Sequence, residues 1–350
     1  MTTDLRNSRS VQNVGNSNFL RTISGDNLDR KTTKRVLSID SLFRKNYQST
    51  KSTDFTYTLP DPINKVTSLK ISSIEFPNSW YMFSSETGSN SFIITLYNCP
   101  VPDDVPEQYP PVIVNTITIP DGNYRSDLLA NSINNIFSNK RNGLEYLYFD
   151  INEVNAKTTF RTKLQGDDNR NLYIIDPDLN SDFYFTIDFD VNTKPLYKNA
   201  GWMLGFKQPF YTVKNSVYLP KIVSDVAPFK ESMYYWFLES EAGYGNAIQN
   251  YVFLEIDDFN RNSTANTFFS KTVNDAYLGN NIMGRITVTS GINTIVTMDG
   301  GNRLFKTREY FGPIRLEKLH IRLIDKYGDP VNLEGNDFSF MLEIEQLYSK

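Results

Sequence analysis

FSFMLEIE, residues 338–345, places Phe338, Phe340, Leu342 and Ile344 at every second position, with Ser339, Met341, Glu343 and Glu345 between them. A period of two is the spacing of an extended strand with one buried and one wet face. FYFTIDFD, residues 183–190, repeats it: Phe183, Phe185, Ile187 and Phe189 alternate with Tyr184, Thr186, Asp188 and Asp190. Phe55, Tyr57 and Leu59 do the same. Further strand-like runs lie at Val66–Phe76, Phe92–Tyr97, Thr116–Ile119, Tyr173–Ile175, Tyr251–Ile256, Ile286–Thr289, Ile295–Met298 and Ile314–Ile324. In the last the apolar parity slips between Leu316 and Leu319, which predicts a β-bulge near Glu317–Lys318.

One segment breaks the period. IPDGNYRSDLLANSINNIFSN, residues 119–139, passes through an Asp121–Gly122–Asn123 turn into Leu128, Leu129, Ile133, Ile136 and Phe137 at helical spacing. Ser126 reads as the N-cap, and Asp127 favours the helix dipole. The expectation is an all-β chain with one short amphipathic helix covering an open end or face of the sandwich.

The 350 residues suffice for one large or two ordinary domains, and 21 Tyr and 24 Phe favour strands. No run approaches the roughly 18 apolar residues of a membrane helix, and MTTDLRNSRS lacks a secretory core, so a soluble chain with no direct membrane insertion is expected. A lone cysteine, Cys99, excludes an internal disulfide and reads as a small half-buried hydrophobe.

The net charge of −4 hides an asymmetry. Residues 1–53 hold ten Lys/Arg against four Asp/Glu, a net of +6, which leaves −10 on the remainder. Residues 1–35 are rich in Asn, Ser, Thr and Arg and read as an extended basic arm. Its cluster Arg30, Lys31, Lys34 and Arg35 fits docking on an acidic protein neighbour, a solvated tail or nucleic-acid binding. Only Phe19 precedes Phe43, so the aromatic interleaving of a single-strand reader is missing, and no nucleic-acid partner is expected.

Catalytic devices are scarce. A single histidine, His320, provides neither a His-based triad nor a multi-His metal site, and reads as exposed and structural. There is no nucleophile elbow, Walker loop or dinucleotide fingerprint, and GYG at 243–245 carries no phosphate signal. DDFNRN (257–262) and DPDLNSD (176–182) echo a calcium loop, but at the loop's sixth and twelfth positions they offer Ser263 with Phe269 and Ser181 with Ile187 in place of Gly and a carboxylate. Strand-end turns explain them as well. A distant carboxylate pair for glycosidic chemistry leaves no sequence signal. Asn262–Ser263–Thr264 is a sequon without a secretion signal. No enzyme, cofactor or metal is expected.

Several stretches occur in an order that resembles the minor capsid proteins, penton or vertex type, of large icosahedral nucleocytoplasmic DNA viruses. They are VLSIDSLFRKNYQSTKSTDFTYTLPDPINKVTSLKISSIEFPNSWY, ITIPDGNYRSDLLANSINNIF, WMLGF at 202–206, VFLEIDDFNRN, and REYFGPIRLEKLHIRLIDKYGDPVNLEGNDFSFMLEIEQLY. The motifs are Asp-Ser-x-x-Arg (40–44), Pro-Asn-Ser (77–79), Gly-x-Tyr (122–124), Leu-Gly-Phe (204–206), Tyr-x-Gly-Pro (310–313) and Asp-Phe-Ser-Phe (337–340), spanning about residues 36–348. The arm before residue 36 is not covered.

The resemblance implies a viral jelly roll, eight antiparallel strands in two packed sheets. More than eight strand candidates require one roll with an insertion or two rolls, and the favoured arrangement is one antiparallel jelly-roll β-sandwich over 36–350 with an inserted elaboration over about 120–210 containing the helix. It implies a structural capsid component, either a penton or a cementing subunit between capsomers. Its partners would be the major capsid protein and other minor capsid proteins, and it would form a homo-oligomer, a pentamer if a penton. It would be made in the host cytoplasm and reside in the virion shell. The rival is a carbohydrate-binding attachment protein stacking glycans on Trp80, Tyr81 or Trp236. The joint DSLFRKNYQSTKSTDF, residues 40–55, would link arm to roll, with Asp40 and Arg44 pairing locally and Phe43 and Tyr47 tacking it to the body. The expected partner-contact residues are Arg30, Lys31, Lys34, Arg35, Phe43, Arg44 and Tyr47.

Overall fold

The computed structural model describes residues 32–100, 109–140, 142–164, 167, 182–215, 217–219, 233–245, 250–263, 281–289, 291–299 and 305–348. Its strands in chain order are β1 (Thr32–Asp40), β2 (Asp54–Pro77), β3 (Ser91–Tyr97), β4 (Val112–Thr118), β5 (Leu147–Ile151), β6 (Lys157–Thr162), β7 (Tyr184–Asp188) and β8 (Phe210–Val213). They continue with β9 (Val217–Leu219), β10 (Met233–Tyr235), β11 (Phe237–Gly243), β12 (Tyr251–Asp257), β13 (Ile282–Thr287), β14 (Ile295–Asp299), β15 (Thr307–Ile324) and β16 (Ser339–Leu347). Among the described residues two α-helices accompany them, α1 (Ser126–Asn139) and α2 (Ala200–Leu204). All these strand pairings are antiparallel, consistent with the jelly-roll class of β-sandwich. The strand expected at Tyr173–Ile175 lies outside the described residues.

The chain forms two compact units, Met1–Trp80 with Gln249–Lys350, and Tyr81–Ile248 inserted between those parts. The elaboration expected over about 120–210 falls inside the second.

The first unit is one seven-stranded sheet in the order β1-β16-β2-β15-β12-β13, with β14 pairing β2. The runs expected at 55–59 and 66–76 fuse into the 24-residue β2. Its first part pairs with β15, from Asp54↔Arg322 to Thr58↔Lys318. From Val66 onward it takes β16 on one edge, and β15 and then β14 on the other. The β2–β15 register shifts between Leu316 and Lys318, where the parity slip predicted a bulge. The alternating residues Phe338, Phe340, Leu342 and Ile344 are at most 3% exposed and pack with Val66, Ile71, Ile74, Leu319 and Ile321. Burial of such side chains stabilises by about 1.5–3 kcal/mol each.

Among the described residues the second unit carries three sheets, β4-β3-β7-β8, β11-β6-β5 and β10-β9. Phenylalanines fill its core: Phe160 meets Phe149, Phe92 and Phe206 at centroid distances of 4.8, 5.6 and 5.7 Å. Helix α1 buries Leu129, Ile133 and Phe137 in that core, with Ile136 packed against it. Leu128, counted in the apolar face from its spacing, is 54% exposed, because the buried stripe is narrower than the face expected. The helix also begins one residue earlier than its cap reading. Arg125 is the N-cap, without a side-chain cap bond, and Ser126 is the first helical residue. Asp127 in the first turn is paired with Arg125 at 2.9 Å, and this bond holds its carboxyl below the ordinary range.

Candidate functional site

The joint begins at the end of β1, where the Asp40 carboxylate accepts from the Leu42 amide at 2.8 Å and caps a single 3₁₀ turn, Ser41–Phe43. That turn swings Ser41 inward. Its hydroxyl donates to Asp337 Oδ1 at 2.7 Å and accepts from the Phe338 amide at 2.9 Å, while its own amide donates to the Phe338 carbonyl. Arg44 follows and reaches the same carboxylate, Nη1 to Asp337 Oδ1, at 2.6 Å. Its Nη1, Nη2 and Nε also donate to the Ser41, Tyr47 and Thr50 carbonyls, respectively. Tyr47 lays its ring 3.9 Å from the guanidinium and donates its hydroxyl to Asp337 Oδ2 at 3.1 Å.

Asp337 therefore accepts from three side chains of the joint. Two further hydroxyls fasten the same face: Ser52 to the Asn336 carbonyl and Thr53 to the Val331 carbonyl. The Arg44 side chain is 7% exposed and that of Asp337 19%. A pair this shielded is desolvated, and its value rests on the satisfied hydrogen bonds around it.

Two expectations are corrected here. Arg44 pairs with Asp337 and not with Asp40, since Asp40 is committed to capping the turn. Phe43 does not tack the joint down, because the turn that buries Ser41 points the Phe43 ring outward, 80% exposed beside the half-exposed Leu42. Tyr47 alone of the two aromatics holds the joint. Leu42 also lines an open cleft of about 440 Å³ with Asp40, Glu75, Pro77, Ile295 and Ser339.

Of the basic cluster, Arg30 and Lys31 lie outside the described residues. Lys34 and Arg35 sit on β1, which pairs with β16 from Thr32↔Leu347 to Asp40↔Ser339. Lys34 Nζ reaches Glu343 at 2.5 Å, a bond that raises the ammonium's pKa and lowers that of the carboxyl.

The other singled-out residues have structural partners. Asp258, from the calcium-like DDFNRN, is 4% exposed, pairs with Arg308 at 3.0 Å and accepts from the Tyr310 hydroxyl. Burial, with Asp258 beside it, pushes the Tyr310 phenol up. Most of DPDLNSD, and Thr264 of the sequon, lie outside the described residues. His320 Nε2 stands 2.8 Å from Asp54 Oδ1 on the half-exposed face of β15. Cys99 is 8% exposed, and burial raises its thiol pKa. Among the aromatics weighed for glycan stacking, Trp236 is 2% exposed against Phe183, Trp80 stacks on Phe76, and Tyr81 is 37% exposed.

Asp337 is the residue that sequence reasoning missed. Its signal was present in the Asp-Phe-Ser-Phe motif, but that motif reads first as a strand.

No protein-family model and no curated protein matches the chain. Solved structures do show likeness. The crystal structure of the mavirus penton protein aligns with a TM-score of 0.42 and 11% identity, covering 91% of this chain and 100% of that one. A chain of the cryo-EM structure of the Sputnik virophage aligns with a TM-score of 0.40 and 14% identity, covering 91% and 98%.

Proposed function

We propose that the chain is a structural component of an icosahedral viral capsid. In this reading it is a minor capsid protein, set at a vertex as a penton or between capsomers as a cementing subunit, and it contacts the major capsid protein. One observation carries the reading. The first and last motifs of the resemblance, Asp-Ser-x-x-Arg at 40–44 and Asp-Phe-Ser-Phe at 337–340, meet in one shielded clasp through Ser41, Arg44 and Asp337. Residues that carry the resemblance are thus spent on closing a frame, which is what a shell subunit needs from them. The glycan-binding reading finds less support, since Trp236 and Trp80 are committed to packing.

In a shell, symmetry repeats each contact, so weak contacts add to strong avidity. The basic cluster Arg30, Lys31, Lys34 and Arg35 belongs to a segment of net +6 in a chain whose remainder carries −10, and in this reading it is attracted to acidic surface on neighbouring subunits. Each exposed charge contributes little alone, and salt screens the attraction beyond about 8 Å at physiological ionic strength. Reversing Arg30, Lys31 and Arg35 to Glu, which spares the Lys34–Glu343 pair inside the sheet, is expected to slow or abolish incorporation into particles while the body stays folded. Particles are assayed for both this protein and the genome. Loss of genome with normal protein would instead make the cluster a nucleic-acid site, and normal content of both would make it a passive tail.

A further inference from the structure

Strand β1 is the edge of the seven-stranded sheet, and β16 is its sole strand partner among the described residues. It runs nine residues in unbroken register with β16, whereas β16 shifts register twice against β2. It contains no proline. Every second residue of such a strand turns its N–H and C=O away from the sheet, so a long regular edge is a template for another strand. Proteins usually blunt such edges with charge. Here the Lys34 ammonium is held by Glu343 on the same sheet, and the midpoint of the strand is Val36, 64% exposed.

We propose that β1 joins the β1 of a second copy, antiparallel about a two-fold axis at Val36, so that the two sheets become one. The order TTKRVLSID is complementary to itself in this register. Val36 meets Val36, Lys34 meets Ser38, Thr32 meets Asp40, and Arg35 meets Leu37, along which its methylene stem can lie. Sliding by one step that keeps each side chain on its own face places Arg35 opposite Arg35, and a further step places Lys34 opposite Lys34. Sliding the other way loses two of the nine paired residues. The chosen register is the longest that sets no cation directly against itself. Leu37 and Ile39, which face the core, extend its apolar row toward the second copy. This interface does not rest on the capsid reading, because it follows from the edge alone.

Cross-strand Cα atoms lie about 4.5–5.5 Å apart, inside the span a disulfide bridges. Cys99 is buried, so a new surface cysteine reports without competition. The full chain is expected to dimerise with rising concentration in sedimentation velocity. Under mild oxidation Val36→Cys should give a covalent dimer. Lys34→Cys and Ser38→Cys should give one only when the two variants are mixed. Val36→Lys sets two ammonium groups against each other and should raise the dissociation constant at least about tenfold, with the melting temperature unchanged at concentrations where both proteins are monomeric. A full chain that stays monomeric at all concentrations would overturn the proposal, whether residues 1–31 cover the edge or nothing does. So would cross-linking indifferent to cysteine position, or strongest away from residue 36.

Discussion

Asp337 concentrates the joint's energetics in one carboxylate. Replacing it with Ala leaves the Arg44 guanidinium shielded from water with its counter-charge gone, and should destabilise the first unit by about 3–5 kcal/mol in denaturant unfolding. Phe43→Ala, at an 80% exposed position, should leave that value unchanged and is the control. Gly205 is a second sensitive point. It ends α2 at φ +98°, and a Cβ there would overlap the Ala242 carbonyl, so Gly205→Ala should cost about 3 kcal/mol. Asp258 is spent on Arg308 and Tyr310, so added calcium should not shift the melting temperature, whereas Asp258→Ala should lower it. At this scale the sequence was half legible. Arg44 and Tyr47 stood out as polar and aromatic residues at the threshold of the strands, but their partner lies 293 residues from Arg44. A clasp closed by the fold leaves no local spacing to read. Asp258 makes the local turn bond expected of it, to the Asn260 amide, but its pairing with Arg308 and Tyr310 was not legible, because Asp and Asn at alternate positions look alike whether they turn a chain, hold calcium or meet a buried arginine.

Helix α1 tests the reading of an element. Ile133→Asp puts an unpaired carboxylate into the phenylalanine core and should destabilise the second unit by more than about 3 kcal/mol, while Leu128→Asp on the exposed edge should be nearly neutral. Equal effects would mean that the helix does not bury the stripe described. Tyr211 gives a pH test. Burial, then the bond from its hydroxyl to Glu241, pushes its phenol up to about 12. A folded pKa above the unfolded value near 10 stabilises fully below pH 10 and is lost as pH rises toward 12. Tyr211→Phe should therefore flatten part of the fall in stability between pH 10 and 12, measured by denaturant midpoints. Elements were the most legible level, because a period of two or of 3.6 is a local signal. Fusion of two runs into β2 was not visible, since Pro60, Asp61 and Pro62 read as an interruption although the backbone carries the strand through them. The bulge near residue 317 was visible, because a slip of parity is itself a pattern.

Each of the two units has its own core, one gathered on β2, β15 and β16 and one on the phenylalanines around Phe160. Calorimetry should resolve two transitions, with Asp337→Ala lowering one and Ile133→Asp the other. The insertion after Trp80 was hard to read, because Pro77–Asn78–Ser79 reads as an ordinary turn at the end of a strand and an aromatic pair, Trp80–Tyr81, spans the boundary itself. The central claim concerns the whole molecule's place in an assembly, and the most direct measurement is its location in purified particles by mass spectrometry and cryo-electron microscopy. The account predicts density for this chain in the shell of every particle at a symmetry-defined position, at the vertices or between capsomers, in contact with the major capsid protein. Particles that are complete and stable without the chain, or that carry it only as an outward projection binding sugar, would contradict it.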